Sequence, residues 1–203
     1  IFHLAAINGT GNFYRIPVEV LDVGILGCYN ILKISAARNV RSLVIASSAE
    51  VYQSPEIIPT PEDIPLIVPD IHNPRFSYGL SKIYTEYYSF YFAKKHDLNV
   101  SIFRPHNVYG PDMGLQHVIP QLLIQFLKNG SSREKITIEL KGSDTAQRAF
   151  CYVDDIVMGM KLLEEKNVGA NVYNLGNRDV VTIANLLGRI AAFFEKDYET
   201  TRS

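Results

Sequence analysis

A net charge of either sign is nearly absent from this chain. Its 203 residues carry 20 Lys and Arg against 21 Asp and Glu, a formal net charge of -1. That balance argues against a general affinity for nucleic acid or for an anionic membrane surface. Cysteine is scarce. Cys28 and Cys151 lie far apart without metal-ligand spacing, so buried reduced thiols in a cytoplasmic protein are expected. The five histidines form no HExxH or paired pattern, and no metal site is expected. No uninterrupted apolar stretch reads as long enough to span a bilayer, and the first residues do not read as a signal peptide. Internal repeats and low-complexity linkers are also lacking. A hydrophobic content of 47% at this length suits one substantial core, or one core with a small appendage.

What is present is organised around Tyr78-Gly79-Leu80-Ser81-Lys82, which opens a run of helix formers and aromatics after a proline-rich stretch. Positions four apart share a helix face, so Tyr78 and Lys82 point the same way. An ammonium beside a phenol favours the phenolate and lowers its pKa from about 10. A tyrosine tuned in that way can exchange a proton with a hydroxyl. Alone, the pattern is common on solvated helix faces. Its neighbours add weight. A run of strand formers at 42–46 ends in Ser47-Ser48-Ala49-Glu50-Val51-Tyr52, and a second at 100–103 runs into Arg104-Pro105-His106-Asn107-Val108-Tyr109-Gly110-Pro111. Open α/β sheets bind ligands at the carboxyl ends of their strands.

In chain order, residues 1–6 read as a central parallel strand, apolar on both faces apart from His3. Residues 8–15 read as a loop. Pro17 suits the first turn of a helix over 18–37. Gly24 and Gly27 each cost that helix about 1 kcal/mol against alanine, which implies close approach to the sheet or to a cofactor. Pro55, Pro59, Pro61, Pro65, Pro69 and Pro74 exclude a regular helix or central strand between 53 and 76; His72 within it reads as a surface histidine. A helix over 78–95 and the strand at 100–103 follow. His117 opens the next helix, and 128–135 reads as a polar surface loop. Residues 136–140 alternate as a short strand, and 142–147 as a turn. Asp155 is expected to cap a helix over 156–164. A strand at 171–175 precedes Thr182, the expected cap of a final amphipathic helix ending at Phe194.

Five blocks, residues 2–6, 47–52, 78–82, 104–111 and 148–155, resemble in order and spacing the extended short-chain dehydrogenase/reductase family, specifically its NAD-dependent nucleotide-sugar epimerases and dehydratases. The resemblance implies a Rossmann-like doubly wound parallel α/β sheet. Residues 1–112 would be the remainder of the NAD-binding domain. Residues 113–203 would be mainly substrate-binding, with strand and helix segments returning to the first part. It further implies Tyr78 as the proton-transferring group, Lys82 on the nicotinamide ribose and Ser48 on the substrate hydroxyl. Glu50 stands where dehydratases and decarboxylases of the family have a working glutamate, but Ala49 lacks the Asp or Ser usual beside it. Leu4, Ala5, Ala6, Ser47, Pro105 and His106, with Tyr78 and Lys82, fall at cofactor positions. Asn107, His117 and Arg148, with Ser48, fall at positions that hold the nucleotide-diphosphate sugar. A homodimer is the family's usual assembly.

The departures are as informative. The family's Gly-x-x-Gly-x-x-Gly turn, which cradles the pyrophosphate, does not occur; Gly9-Thr10-Gly11 is too short and follows the wrong strand. The expectation is a fragment lacking roughly 60–70 amino-terminal residues, the first βαβ units, and stopping before the family's last helices. Gly24 stands where relatives often carry Asn, so no polar role is carried to it. The expected reaction is 4-epimerisation of a UDP-sugar through a 4-keto intermediate. Dehydration and uronate decarboxylation are the alternatives within the family. A non-catalytic dinucleotide-binding scaffold or redox sensor is the alternative from another class, and the intact Ser48, Tyr78 and Lys82 set argues against it.

Overall fold

A computed structural model describes residues 1–129, 135–166 and 168–202. The elements run β1 (Phe2–His3), α1 (Thr10–Arg15), α2 (Pro17–Ala37), β2 (Leu43–Ala46), α3 (Ser77–His96), β3 (Val100–Pro105) and β4 (Val108–Tyr109). There follow α4 (Val118–Asn129), β5 (Ile136–Leu140), β6 (Gln147–Ala149), β7 (Cys151–Tyr152) and α5 (Val153–Lys166). The chain ends with β8 (Ala170–Leu175), β9 (Val180–Thr182), α6 (Ile183–Phe194) and β10 (Tyr198–Arg202). Two compact units result: Ile1–His106 with Asp154–Gly176, and Asn107–Val153 with Asn177–Ser203. The division falls before the boundary expected at 112.

The first unit is built on a parallel sheet of order β1-β2-β3-β8. Leu43, Val44, Ile45, Val100 and Ile102 are buried, the continuous apolar run of strands covered on both faces. In β1, Phe2 and His3 pair in parallel with Val44 and Ile45.

Pro17 sits in the first turn of α2, as its fixed φ favours. Val20, Gly24, Cys28 and Leu32 recur every four residues and form the buried stripe. A Cβ on Gly24 would stand 2.6 Å from Ser81 Cβ on α3 and 2.7 Å from its Oγ. The close approach at Gly24 is to a neighbouring helix, where the sequence suggested the sheet or a cofactor. A Cβ on Gly27 would stand 4.0 Å from His3 Cε1 on β1. By length and composition α2 could also cross a membrane, contrary to the expectation that no stretch reaches that limit. Here its Cys28 and Leu32 pack in a core with Leu43, Ile45, Ala93, Val100 and Ile102.

Residues 10–15, expected as loop, form α1, whose buried residue is Phe13. Phe13 stacks on Tyr78 at 5.1 Å between ring centroids, a tertiary contact that local composition does not announce. The proline-rich segment holds no regular element until a 3-10 turn at Pro74–Phe76. α5 begins at Val153, so Asp154 and Asp155 occupy its first turn instead of capping it; carboxylates there complement the positive end of the helix dipole.

In the second unit β5 alternates buried and exposed residues and pairs in parallel with β10, a strand the sequence reading did not place. Phe126, Ile136, Ile138 and Leu187 close the core between this pair and helices α4 and α6. Thr182 caps α6 by accepting from the Asn185 amide at 3.0 Å. Of the loop expected at 128–135, residues 130–134 lie outside the described residues.

The contact at Gly24 makes a signed prediction. Gly24→Ala gains helix propensity but forces a side chain against Ser81, so it should destabilise by about 1–3 kcal/mol. Gly188→Ala, in α6 with nothing within 4 Å of the new Cβ, should stabilise by about 0.5–1 kcal/mol. Urea unfolding of both variants beside the wild type checks the pair of signs.

Candidate active site

The site grows from the end of β2. Ala46 is its last strand residue, and Ser48, in extended conformation, caps the 3-10 turn Ala49–Val51 by accepting from the Glu50 amide at 3.2 Å. The Ser48 hydroxyl also acts on the Tyr78 phenol, favouring its charged form. The turn lies against the start of α3. A Cβ on Gly79 would be 3.3 Å from the Glu50 carbonyl oxygen and 2.9 Å from Gln53 Nε2. Glycine at 79 thus lets the turn sit close against α3; an added Cβ would displace the end of Gln53 and press on the Glu50 carbonyl.

Tyr78 and Lys82 are buried, at 7% and 4% exposure. Lys82 Nζ donates to the Ala46 carbonyl at 2.7 Å and stands 5.6 Å from the centroid of the Tyr78 ring. The expected lowering of the phenol pKa by this lysine is not what the site produces. Burial pushes the Tyr78 pKa up, the Ser48 hydrogen bond opposes the rise, and the Glu50 charge adds to it. Burial likewise lowers Lys82 to about 8, against the attraction of Cys28 and Glu86. His3 is lowered by burial and then by the charge of Lys82. Desolvation dominates here because each charged form would lose water without an opposite charge in direct contact.

Glu50 is ion-paired: Arg75 Nη2 donates to both carboxylate oxygens, at 3.1 and 2.9 Å. The Arg75 guanidinium also lies 5.4 Å from the centroid of the Phe13 ring, whose stacking partner is Tyr78. Beneath the turn is a pair that sequence reasoning missed. Arg104 Nε and Nη2 donate to Glu86 Oε1 and Oε2 at 2.8 and 2.5 Å, and both side chains are almost wholly buried. Ser47 donates to the same carboxylate. The available signal was weak: Glu86 lies one turn beyond Lys82 on the same helix face, and Arg104 ends an apolar strand.

Other expected cofactor residues follow the carboxyl ends of adjacent strands. Leu4 and Ala5 are exposed beyond β1, while Ala6 packs against the cluster of Phe13, Val20 and Tyr78. Pro105 ends β3. His106 follows, with Nε2 3.2 Å from Asn174 Oδ1. Gly176 accommodates the imidazole, since a Cβ there would meet His106 Cβ at 2.9 Å. Buried Lys82 with the hydroxyls of Ser48 and Tyr78 fits the nicotinamide–ribose end of a dinucleotide. No glycine turn in these residues fits its pyrophosphate.

In the second unit Arg148 is exposed on β6, with Nη1 donating to the Gln147 carbonyl at 2.7 Å. It lines a pocket of about 340 Å³ with Gln116, Gln121, Glu139 and Lys141. Asn107, at φ 37 in the left-handed region that Asn tolerates, donates from Nδ2 to the Ala149 carbonyl at 3.3 Å. Asn107 and Arg148 therefore meet at one strand. His117 is exposed just before α4, between two residues of that pocket's wall but not itself part of it.

The buried lysine yields a pH prediction. Its folded-state pKa of about 8 lies below the ordinary 10.5, so between these values the unfolded chain holds more protons and stability contributed by this group rises with pH. Below pH 8 the burial costs about 3 kcal/mol. Without added cofactor, the stability advantage of Lys82→Met over wild type should shrink as pH rises from 8 to 10.5. Chemical denaturation across that range measures it; a pH-independent difference would contradict the assignment.

The NAD dependent epimerase/dehydratase family matches residues 1–176 of this chain. UDP-glucuronic acid decarboxylase 1 of Xenopus tropicalis is 31% identical over 195 residues, covering 94% of the chain and 44% of that protein. UDP-glucuronate 4-epimerase of Thermodesulfobacterium geofontis is 28% identical, covering 94% and 58%. The structure of UDP-glucose 4-epimerase from Thermotoga maritima with UDP-glucose superposes with a TM-score of 0.84 at 28% identity, over 100% of this chain and 63% of that one. The chain spans about half the length of the curated relatives it matches. The match across residues 1–176 and the shared fold make this chain a member of the NAD-dependent epimerase/dehydratase family.

Proposed function

We propose that this chain carries the catalytic residues of an enzyme that oxidises and re-reduces C4 of a nucleotide-diphosphate sugar, with 4-epimerisation of a UDP-sugar as the net reaction. The observation that carries this reading is the buried Tyr78, one turn before Lys82, whose Nζ stands 5.6 Å from its ring centroid, at the carboxyl end of a parallel sheet. Bound NAD supplies the hydride acceptor. Ser48 orients the C4 hydroxyl, and Tyr78 takes its proton and later returns one. With its pKa raised, the phenol keeps its proton at neutral pH in the ligand-free state, so the lowering needed for a base has to come with ligand binding. Lys82, with Tyr78, holds the ribose end of the cofactor, and Leu4, Ala5, Ala6, Ser47, Pro105 and His106 complete that contact.

The second unit has a separate task in this proposal. Arg148 takes diphosphate oxygens with its planar fork, and Asn107 and His117 add donors. The wall of polar residues beside Arg148 supports that use. A homodimer in the cytoplasm completes the proposal; exposed Tyr87, Phe90 and Tyr91 on α3 are apolar surface that an interface could bury.

Decarboxylation of a UDP-uronate is the second reading, favoured by a carboxylate–guanidinium pair close to Tyr78 and by the decarboxylase relative. Against it, both Glu50 oxygens are held by Arg75, and Ala49 offers neither acid nor hydroxyl. Epimerisation needs only room for the 4-keto sugar to turn over.

Incubating the full-length protein with NAD and UDP-glucose, UDP-glucuronate, GDP- and dTDP-sugars should give a product of unchanged mass by mass spectrometry; loss of carbon dioxide or water would transfer the proposal to the alternatives. Tyr78→Phe should fold and bind NAD yet lose at least ~10²-fold in turnover. Arg148→Ala should weaken nucleotide-sugar binding by about 1.5–3 kcal/mol in calorimetry while leaving NAD affinity unchanged.

A further inference from the structure

The first unit contains a chain of polar groups, ending on His106, whose hydrogen-bond directions are all determined. It starts at Arg104, which has only hydrogens to give. Its Nη1 donates to the Tyr52 hydroxyl and to the Glu62 carbonyl. Tyr52, its oxygen already accepting, passes its own hydrogen to Asn174 Oδ1 at 2.8 Å. Asn174 Nδ2 donates to the Thr60 carbonyl at 2.9 Å, and the Asn174 backbone amide donates to Glu62 Oε1 at 2.9 Å. The amide cannot be turned over. Rotation would set Oδ1 against the Thr60 carbonyl, two acceptors with no hydrogen between them.

The same Oδ1 lies 3.2 Å from His106 Nε2. An amide oxygen only accepts, so the imidazole must carry its hydrogen on Nε2. In neutral imidazole that leaves Nδ1 bare. We infer that Asn174, oriented by Tyr52 and Thr60, is a positioning residue that fixes His106 as the Nε2–H tautomer, so that His106 meets a ligand as a hydrogen-bond acceptor through Nδ1. The groups that suit it are donors, an amide N–H or a sugar hydroxyl; a carbonyl or phosphate oxygen does not. His106 follows the carboxyl end of β3, the strand that pairs with β2, whose end leads to Ser47 and Ser48. The same chain fastens Thr60 and Glu62, in the middle of the proline-rich segment, to the sheet. That a ligand binds here rests on the proposed function; the tautomer does not.

The test is spectroscopic and needs no turnover. Full-length protein labelled with ¹⁵N-histidine, with the His106 signals identified by their loss in His106→Gln, is recorded by long-range ¹H–¹⁵N correlation above the imidazole titration. The expected pattern for neutral His106 is Nε2–H with Nδ1 unprotonated. Asn174→Asp, which keeps an oxygen in reach of Nε2 but sets its second oxygen against the Thr60 carbonyl, should preserve the tautomer at a cost in stability. Asn174→Leu should give a mixture of tautomers. An Nδ1–H pattern in the wild type would overturn the inference even if the leucine variant failed to fold, and an unchanged pattern in a folded leucine variant would remove Asn174 from the role. On addition of NAD, and then of UDP-glucose, the Nδ1 resonance should move towards that of a hydrogen-bonded nitrogen. If both ligands bind by calorimetry and leave it unmoved, the acceptor role fails. A protein with this tautomer that converts no nucleotide sugar would instead fail the proposed function alone.

Discussion

The buried ion pair between Glu86 and Arg104 ties the first unit together. Removing two charges from water costs several kcal/mol per ion, and attraction offsets that only when the remaining donors and acceptors are satisfied. Here they are. The carboxylate takes two guanidinium hydrogens and the Ser47 hydroxyl, and the guanidinium spreads its others over Tyr52 and the Glu62 carbonyl. The pair therefore joins helix α3, the ends of strands β2 and β3 and the proline-rich segment at one point. Each of those pieces carries or supports a residue of the candidate site. Removing one partner would strand the other charge in the core, a loss of about 3–5 kcal/mol in comparable buried pairs.

Low dielectric is also what gives the site its electrostatic character. One cause, burial, moves Tyr78 up and Lys82 down, and both changes favour the neutral form. Lys82 relieves part of its cost by donating to the β2 backbone, which also fixes its distance from the phenol. Glu50 is neutralised from another side, by Arg75. The ligand-free site is thus poised with its charges compensated or suppressed. In the proposed reaction, a sugar hydroxyl and a positively charged nicotinamide would change that balance, a physical route to activating Tyr78 only when reactants are present.

In the proposed reaction, the oxidation at C4 would draw on the residues gathered at β2 and α3. What distinguishes the later steps is whether a second acid or base stands near the sugar. In this chain the nearby carboxylate is held on both oxygens and its neighbour is an alanine, so the oxidation is better equipped than any specialised step.

Strands β2, β3 and β5 and helices α2, α3 and α6 were legible in the sequence because periodicity, proline and capping residues act locally: Pro17 opens α2, and Thr182 caps α6 where its hydroxyl meets the Asn185 amide. The residues of the candidate site were legible for a different reason, since motif spacing places Ser48 at a strand end and Tyr78 one turn from Lys82. Three kinds of fact were decided only by tertiary structure. Pairing with β5 turned 198–202 into a strand, because a strand exists only where a partner offers its ladder. Long-range packing made α1 a helix under Tyr78 and showed that Gly24 serves Ser81. Burial reversed the expected direction of the Tyr78 shift, because the sequence names the nearest charge but not the water that is lost around it. Asn174 shows the limit most plainly: its role depends on Tyr52, Thr60 and His106, residues far apart in the chain that become neighbours only when the sheet forms.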